Sequence, residues 1–185
     1  MIYCFLADGF EEIEALATVD ILRRADIDVC TVSVTDSIVV NGSHNIKVTA
    51  DMMCSNLDDI KNDITGAIYP GGMPGSETLS SGKNTLPNDV AKYCAENNII
   101  VGAICAAPIV LGRIDLLNGK CVTCYPGFES QLNGANYTGK RVEKDGNIIT
   151  GRGPGCSVDF ALAIVSEIKG DSLAQKIRKS MQCDE

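Results

Sequence analysis

The stretch Val101-Gly102-Ala103-Ile104-Cys105-Ala106-Ala107-Pro108 decides the fold of this chain. The apolar residues up to Ile104 predict a buried strand. Pro108 fits the first turn of a helix, where its missing N–H costs no hydrogen bond. Between the two lies a tight turn that carries Cys105. This strand–turn–helix corner predicts a nucleophile elbow, with cysteine where hydrolases often place serine.

At such a corner, Cys105 lies beside the unpaired N–H groups and the positive dipole end of the following helix. Both features favour thiolate over thiol, so the pattern predicts a reactive sulfur. The alternative interpretation is a structural cysteine, because free cysteines are often small buried apolar residues.

The length and the net charge of the chain limit its domain organisation and its classes of partner. The 185 residues fit one domain, residues 1–185, with a core that needs no disulfide or metal. A net charge of −8 argues against nucleic acid or an anionic membrane as partner, because those require clustered Lys and Arg. No apolar run is long enough to span a membrane, and Met1 leads directly into a strand without a signal peptide. We therefore expect a cytoplasmic protein that binds small molecules or other proteins.

The nine cysteines do not form a recognisable framework. They are odd in number and scattered through apolar segments, which argues against disulfides. Cys121 and Cys124 have CxxC spacing, but in a strand-like segment their side chains face opposite sides of the sheet. Since no second pair accompanies them, we expect no metal site there.

Strand-like and helix-like segments alternate along the chain, which predicts an α/β sandwich: a mostly parallel sheet with helices on both faces. The loops that follow the strands then converge at one edge of the sheet, where ligands bind. The predicted strands are residues 1–6, 28–34, 64–69, 99–104 and 120–123; the predicted helices are 11–24, 86–97, 108–111, 157–168 and 172–180; and hairpins turn at 41–42 and 145–146. The first hairpin is expected to lie outside the main sheet.

Carboxylates open the first predicted helix. Glu11 and Glu12 complement the positive end of the helix dipole. The apolar stripe at Ile13 and Leu16 instead turns Glu14 toward the sheet edge. A carboxyl buried there has a raised pKa and can donate a proton to a neighbouring thiolate.

Backbone groups near the corner can bind an oxyanion. The loop Gly71-Gly72 exposes its N–H groups, and the N–H of Ala106 follows Cys105 directly. The segment that begins at Arg152 leads into a helix, so it fits an anion site, a subunit contact or simply a stiff turn.

Five segments together resemble the ThiJ/PfpI superfamily, in the branch of the parkinsonism-associated deglycase and its bacterial relatives. They are residues 8–14, 69–72, 103–108, 141–146 and 152–155, and the match runs in order over nearly the whole chain. The resemblance implies a flavodoxin-like fold, usually dimeric, and chemistry without a cofactor.

The resemblance also implies a role for individual residues of the site. Cys105 matches the reactive, easily oxidised cysteine of the family, and Glu14 matches the carboxyl that hydrogen-bonds it. Gly72 and Ala106 match the backbone donors near that sulfur.

Further residues match positions near the site or the dimer interface. Arg152 and Pro154 match a loop near both, and Arg24 matches an interface position. His44, the only histidine, lies just past the first hairpin turn. It is expected to be a solvated loop residue, with contact to a partner subunit's site as the alternative.

The chain departs from the family pattern at two positions. Tyr125 stands where the deglycase branch commonly has a histidine before proline, so the expected proton shuttle is missing, because a tyrosine pKa lies near 10. Ala106 stands where the peptidase branch has a histidine, which argues against a Cys-His-acid triad.

Three functions follow from this resemblance. The first is glyoxalase- or deglycase-like action on small α-oxoaldehydes or glycated groups through Cys105 and Glu14. The second is an oxidative-stress sensor or chaperone that acts through oxidation of Cys105. The third, an amidase or peptidase, is disfavoured by Ala106.

Overall fold

A computed structural model describes residues 1–183 and shows strands and helices in alternation. The strands are β1 (Ile2–Leu6), β2 (Val29–Ser33), β3 (Val39–Asn41), β4 (Lys47–Thr49), β5 (Met52–Met53), β6 (Gly66–Tyr69), β7 (Ile100–Ile104), β8 (Cys121–Val122), β9 (Asn136–Tyr137), β10 (Val142–Asp145) and β11 (Ile148–Gly151). The α-helices are α1 (Glu12–Arg24), α2 (Gly75–Ser80), α3 (Leu86–Glu96), α4 (Pro108–Gly112), α5 (Ser157–Lys169) and α6 (Asp171–Ser180). Short 3₁₀ turns lie at Leu57–Asp59, Glu129–Gln131 and Pro154–Cys156.

The main sheet has seven strands in the order β10-β11-β7-β6-β1-β2-β5. All neighbours are parallel except β10 and β11, which form an antiparallel hairpin. Every residue of β1 and β6 is buried, as expected for central strands that helices cover on both faces. The expected mostly parallel α/β sandwich is therefore confirmed.

Two apolar clusters hold the helices against the sheet. One includes Tyr69 and Leu111 and packs α2, α3 and α4 on one face. The other includes Phe160 and Leu22 and packs α1, α5 and α6 on the opposite face. None of the helices in the described part of the chain is long and apolar enough to cross a membrane.

Two local expectations were wrong, and helix α2 was not predicted. The predicted strand 120–123 shortens to β8 and pairs with β9 in a separate two-stranded sheet rather than with the main sheet. The first hairpin does lie outside the main sheet, but its turn is longer than the Asn41-Gly42 pair indicates. Asn41 still pairs with Lys47, and residues 42–46 form the loop. Helix α2 escaped prediction because several of its residues are small and polar, and such residues are weak helix formers.

Candidate active site

The strand–helix corner holds Cys105 in a strained backbone conformation. Its φ of 64° lies in the left-handed region, which costs a non-glycine residue about 1–3 kcal/mol. Neighbouring loops fix the corner, since the Cys105 N–H donates to the Gly151 carbonyl at 2.8 Å and the Tyr125 N–H donates to the Cys105 carbonyl at 2.8 Å. Pro108 then begins α4, as the elbow pattern predicts.

Helix α1 brings Glu14 to the thiol. The Glu14 side chain is fully buried, and its Oε2 accepts the Gly71 N–H at 2.7 Å. Its Oε1 has no hydrogen-bond partner among the described residues. A Cβ on Gly71 would lie 2.5 Å from both the Cys105 Cβ and the Glu14 Oε2. Only glycine therefore fits between the thiol and the carboxyl.

The ionisation of this pair is set mainly by burial. Burial raises the pKa of Glu14 to about 7, although hydrogen bonds from the Cys105 thiol and the Gly71 N–H act to lower it. Burial also raises the pKa of Cys105, and the Glu14 carboxylate raises it further. The expected preference for thiolate is therefore wrong while Glu14 is charged, because N–H donors alone do not offset both effects.

Two backbone N–H groups face the sulfur. Hydrogen bonds from Ala106 and Gly72 act to lower the pKa of Cys105, as expected for donors aimed at a developing negative charge. Gly72 adopts φ 89°, and a Cβ there would lie 2.4 Å from the Glu11 nitrogen and the Gly9 carbonyl oxygen. The donor loop therefore requires glycine at this position.

A small cavity opens above the sulfur. Its volume is about 250 Å³, enough for a compact organic molecule. Most of its walls are apolar, and only Glu11 contributes a charged side chain. The lining residues are Glu11, Gly72, Met73, Cys105, Ala106, Tyr125, Phe128 and Pro154.

The chain resembles known proteins over most of its length. The model of the DJ-1/PfpI family matches residues 1–167. The chain belongs to the DJ-1/PfpI family. It is 38% identical to protein DJ-1 homolog B of Arabidopsis thaliana over 95% of its own length, but it spans only 39% of that longer protein.

Relatives of similar length are known within the DJ-1/PfpI family. The glutathione-independent glyoxalase DJ-1 of Schizosaccharomyces pombe is 29% identical, with 96% of this chain and 95% of that protein aligned. The structure of oxidised DJ-1 of Toxoplasma gondii superposes with a TM-score of 0.90 at 30% identity, covering 98% of this chain and 97% of that one.

Tyr125 and Pro154 border the cavity. Tyr125 is about half exposed. Together with Pro154 it also lines an adjoining cavity of about 350 Å³, into which Arg152 extends. The Arg152 guanidinium donates to the Gly139 carbonyl at 3.2 Å. Arg152 thus lies near the site without lining the Cys105 cavity itself.

Arg24 does not join this site. It lies ten residues beyond Glu14 on α1, about 15 Å along the helix axis, and forms an exposed ion pair with Asp20 at 2.7 Å. Its role at an interface stays a prediction.

His44 is exposed, as expected, but it is not free. Its Nδ1 lies 2.9 Å from the Glu12 Oε2, and this contact raises the pKa of the imidazole. Burial raises the pKa of Glu12, but hydrogen bonds from the His44 ring and from the His44 and Ile46 N–H groups lower it to about 2. Sequence reasoning assigned Glu12 only to the helix dipole and missed its contact with the hairpin. No sequence signal pairs residues 32 positions apart.

Proposed function

We propose that this protein is a cofactor-independent enzyme that converts small α-oxoaldehydes such as methylglyoxal to hydroxy acids. One observation carries the proposal: a buried carboxyl with a pKa of about 7 and an unpartnered Oε1 lies against the elbow cysteine. Such a group can accept and return a proton near neutral pH. The glyoxalase named among the relatives gives independent support.

The first half of the reaction joins the aldehyde to the enzyme. Glu14 takes the proton of the Cys105 thiol, and the thiolate attacks the aldehyde carbon to form a C–S bond. The N–H groups of Gly72 and Ala106 stabilise the resulting oxyanion. Glu14 then returns its proton to that oxygen, which gives a neutral hemithioacetal.

The second half moves hydrogen between neighbouring carbons. Glu14 removes the C–H proton of the former aldehyde carbon, which leaves an enediolate. Glu14 returns that proton to the adjacent carbon, while the hydroxyl proton of the former aldehyde carbon moves to the oxygen of its neighbour. The product is a thioester of Cys105, so one carbon is oxidised while its neighbour is reduced. Water then cleaves the C–S bond, releases lactate and restores the thiol without an external oxidant or reductant.

The test is lactate formation from methylglyoxal. We expect Cys105→Ser to abolish it, while Cys121→Ser, which removes an exposed thiol outside the cavity, leaves the rate unchanged. The control matters because any free thiol adds reversibly to methylglyoxal. Equal lactate formation by Cys105→Ser and the native protein would reject the mechanism.

A second candidate is a sensor in which Cys105 is oxidised to sulfinic acid. The two N–H donors and a protonated Glu14 can stabilise a negatively charged sulfinate, and a similar structure is that of an oxidised relative. Mild peroxide followed by peptide mapping tests this candidate. Oxidation equal at Cys105 and at the exposed Cys121 and Cys183 would contradict it.

Amidase or peptidase activity has the weakest support. It requires a histidine beside the cysteine, and the only histidine, His44, pairs with Glu12 instead. A fluorogenic peptide hydrolysed by the native protein but not by Cys105→Ala would favour this activity.

We further propose a cytoplasmic homodimer. Ile13 and Leu16 on α1 and Ile46 in the hairpin loop expose apolar side chains, which suits a second copy of the chain. All nine cysteines are free, which suits a reducing compartment. The proposed substrates are small aldehydes or glycated groups.

A further inference from the structure

The cavity that adjoins the Cys105 cavity differs from it in charge. Its volume is about 350 Å³, and Tyr125 and Pro154 line both cavities. The side chains of Arg141 and Arg152 also line it, and none of the described residues around it is acidic. We call it the Arg152 cavity. A molecule held at Cys105 can therefore extend past Tyr125 toward positively charged groups.

The two arginines differ in how much of their hydrogen-bonding capacity the fold uses. Arg141 donates to the Asp159 carboxylate from Nε at 3.0 Å and from Nη2 at 2.6 Å, and Nη2 also donates to the Gly155 carbonyl at 2.8 Å. The Arg152 side chain donates to the Gly139 carbonyl at 3.2 Å, and among residues 1–183 it forms no ion pair. A guanidinium has five N–H donors. Arg152 thus keeps its charge and most of its donors for a ligand.

Negative charge is confined to the sulfur end of the two cavities. Glu11 lines the Cys105 cavity but not the Arg152 cavity, and Glu14 lies against the thiol. An anionic group next to the sulfur would meet these carboxyl groups, whereas an anionic group beyond Tyr125 meets a guanidinium. The arrangement therefore favours a molecule with an uncharged reactive end and an anionic far end.

Backbone contacts hold the boundary between the two cavities in place. The Arg152 N–H donates to the Arg141 carbonyl at 2.9 Å, and the Tyr125 N–H donates to the Cys105 carbonyl at 2.8 Å. A Cβ on Gly153 would lie 3.1 Å from the Tyr125 Cδ2, so the ring packs closely against this glycine. A larger residue there would displace the Tyr125 ring. The boundary is thus defined before any ligand binds.

We propose that Arg152 selects, among α-oxoaldehydes, those that carry a carboxylate or another anionic oxygen group at the end remote from the aldehyde. This inference rests on the proposed function, because Cys105 must hold the aldehyde while Arg152 binds the anion. A guanidinium presents parallel N–H groups that match the two oxygens of a carboxylate. Arg152 then determines specificity and takes no part in proton transfer.

The test compares phenylglyoxal with para-carboxyphenylglyoxal, which differ by one carboxylate. We expect the native protein to have a kcat/KM about tenfold higher for the carboxylated substrate, because a hydrogen bond to a charged group contributes about that much. The preference should lie in KM rather than in kcat, since Arg152 contacts the same group before and during the reaction. In Arg152→Gln the preference should be lost.

Lys92→Gln is the matched control. Lys92 is exposed on α3, outside both cavities, and its replacement removes the same positive charge as Arg152→Gln does. This variant should keep the native preference. An equal preference in the native protein and Arg152→Gln, when both convert phenylglyoxal, would overturn the inference and leave the proposed function standing. A changed sedimenting mass in Arg152→Gln would also overturn it, because Arg152 would then act at a subunit contact.

Alkylation of Cys105 gives a readout that needs no turnover. Both para-(bromomethyl)benzoate and its neutral amide alkylate a thiol by loss of bromide, and they differ in charge. Peptide mapping should show that the benzoate modifies Cys105 faster than the amide does, and Arg152→Gln should reduce this advantage about fivefold or more. If neither glyoxal is converted, the proposed function fails. An unreduced advantage in Arg152→Gln would overturn the role of Arg152 in either case.

Discussion

Glu14 is buried and ionisable, so its ionisation lowers the free energy of unfolding. Its pKa is about 7 in the folded protein against 4.5 for the ordinary side chain. Between these values the folded state holds a proton that the unfolded state has lost, so stability falls as pH rises from about 4.5 to 7. We expect a loss on the order of 2–3 kcal/mol over that range.

Glu14→Gln tests this effect, because glutamine does not titrate and keeps an oxygen for the Gly71 N–H. Urea unfolding at pH 5 and pH 8 should show a smaller loss in the variant than in the native protein. The same variant should form little lactate, because the glutamine amide can neither accept nor return a proton as the Glu14 carboxyl does. Equal pH dependence in both proteins would show that Glu14 is not buried as described.

Tyr125 stands where the family resemblance implies a histidine. It borders the Cys105 cavity, but a tyrosine hydroxyl exchanges protons poorly at neutral pH. We expect Tyr125→His to raise kcat for methylglyoxal by about tenfold or more, because a positioned imidazole contributes about that much or more as a general acid or base.

Tyr125→Phe is the matched control for the histidine variant. It keeps the ring on the cavity wall and removes only the hydroxyl, so its lactate rate should equal that of the native protein. A drop in Tyr125→Phe would assign the hydroxyl a part in the reaction that the proposal does not give it.

The sequence predicted the position of Cys105 better than its chemistry. The elbow is a local pattern of apolar residues followed by Pro108, so it is visible in eight consecutive residues. The raised pKa of the thiol depends on Glu14, 91 positions earlier, and on burial. The residues next to Cys105 in the sequence indicate neither the contact with Glu14 nor the degree of burial. The contact of Glu12 with the hairpin escaped prediction for the same reason.

At the scale of elements, the strongly apolar or periodic segments were predicted and the short polar ones were not. The predicted helix 11–24 matches α1 closely, and the predicted strand 99–104 matches β7. The loop 42–46 differs because tertiary contacts override its turn signal: the Ser43 N–H donates to the Phe10 carbonyl, and Glu12 holds the loop N–H groups. Such contacts outweigh the preference of Asn41-Gly42 for a two-residue turn.

Asp159 on α5 ties two other elements to that helix. Its carboxylate accepts hydrogen bonds from Arg141 beside β10 at 2.6 Å and from Arg178 on α6 at 2.6 Å. Burial raises its pKa, but the two guanidinium groups outweigh burial and lower it overall. We expect Asp159→Asn to reduce the free energy of unfolding at pH 7 by about 1–2 kcal/mol.

The pH dependence of stability distinguishes an electrostatic contribution of Asp159 from a packing contribution. A carboxyl with a lowered pKa adds stability above its unfolded pKa and loses it as pH falls through the folded value. The difference between Asp159→Asn and the native protein should therefore shrink below about pH 4. Asp20→Asn, which breaks an exposed pair with Arg24, should change stability by about 0.5 kcal/mol or less. A gap that persists in acid would point to packing instead.

For the whole molecule, the parallel sheet explains why distant segments form one site. Loops after β1, β6, β7 and β11 all leave the same edge of the sheet, which brings Glu14, Gly72, Cys105 and Arg152 into one region although 138 positions separate the first from the last. The resemblance anticipated this grouping because four of its five motifs lie at that edge, whereas residues 141–146 form β10 and the start of its turn. The proposed reaction thus needs residues of only one chain.

The proposed homodimer gives the last prediction. Ile13 is more than half exposed at the start of α1, so Ile13→Asp should leave the fold intact, and a carboxylate suits the first turn of a helix. In sedimentation we expect the native protein at dimer mass and Ile13→Asp at monomer mass. Tyr137→Asp, at an exposed position on β9, should stay dimeric. A native monomer would reject the dimer, because the exposed apolar side chains would then have no partner of their own kind. If the monomeric variant loses lactate formation while keeping its fold, the partner subunit supplies part of the site, and the loops of Arg152 and His44 are the first to examine.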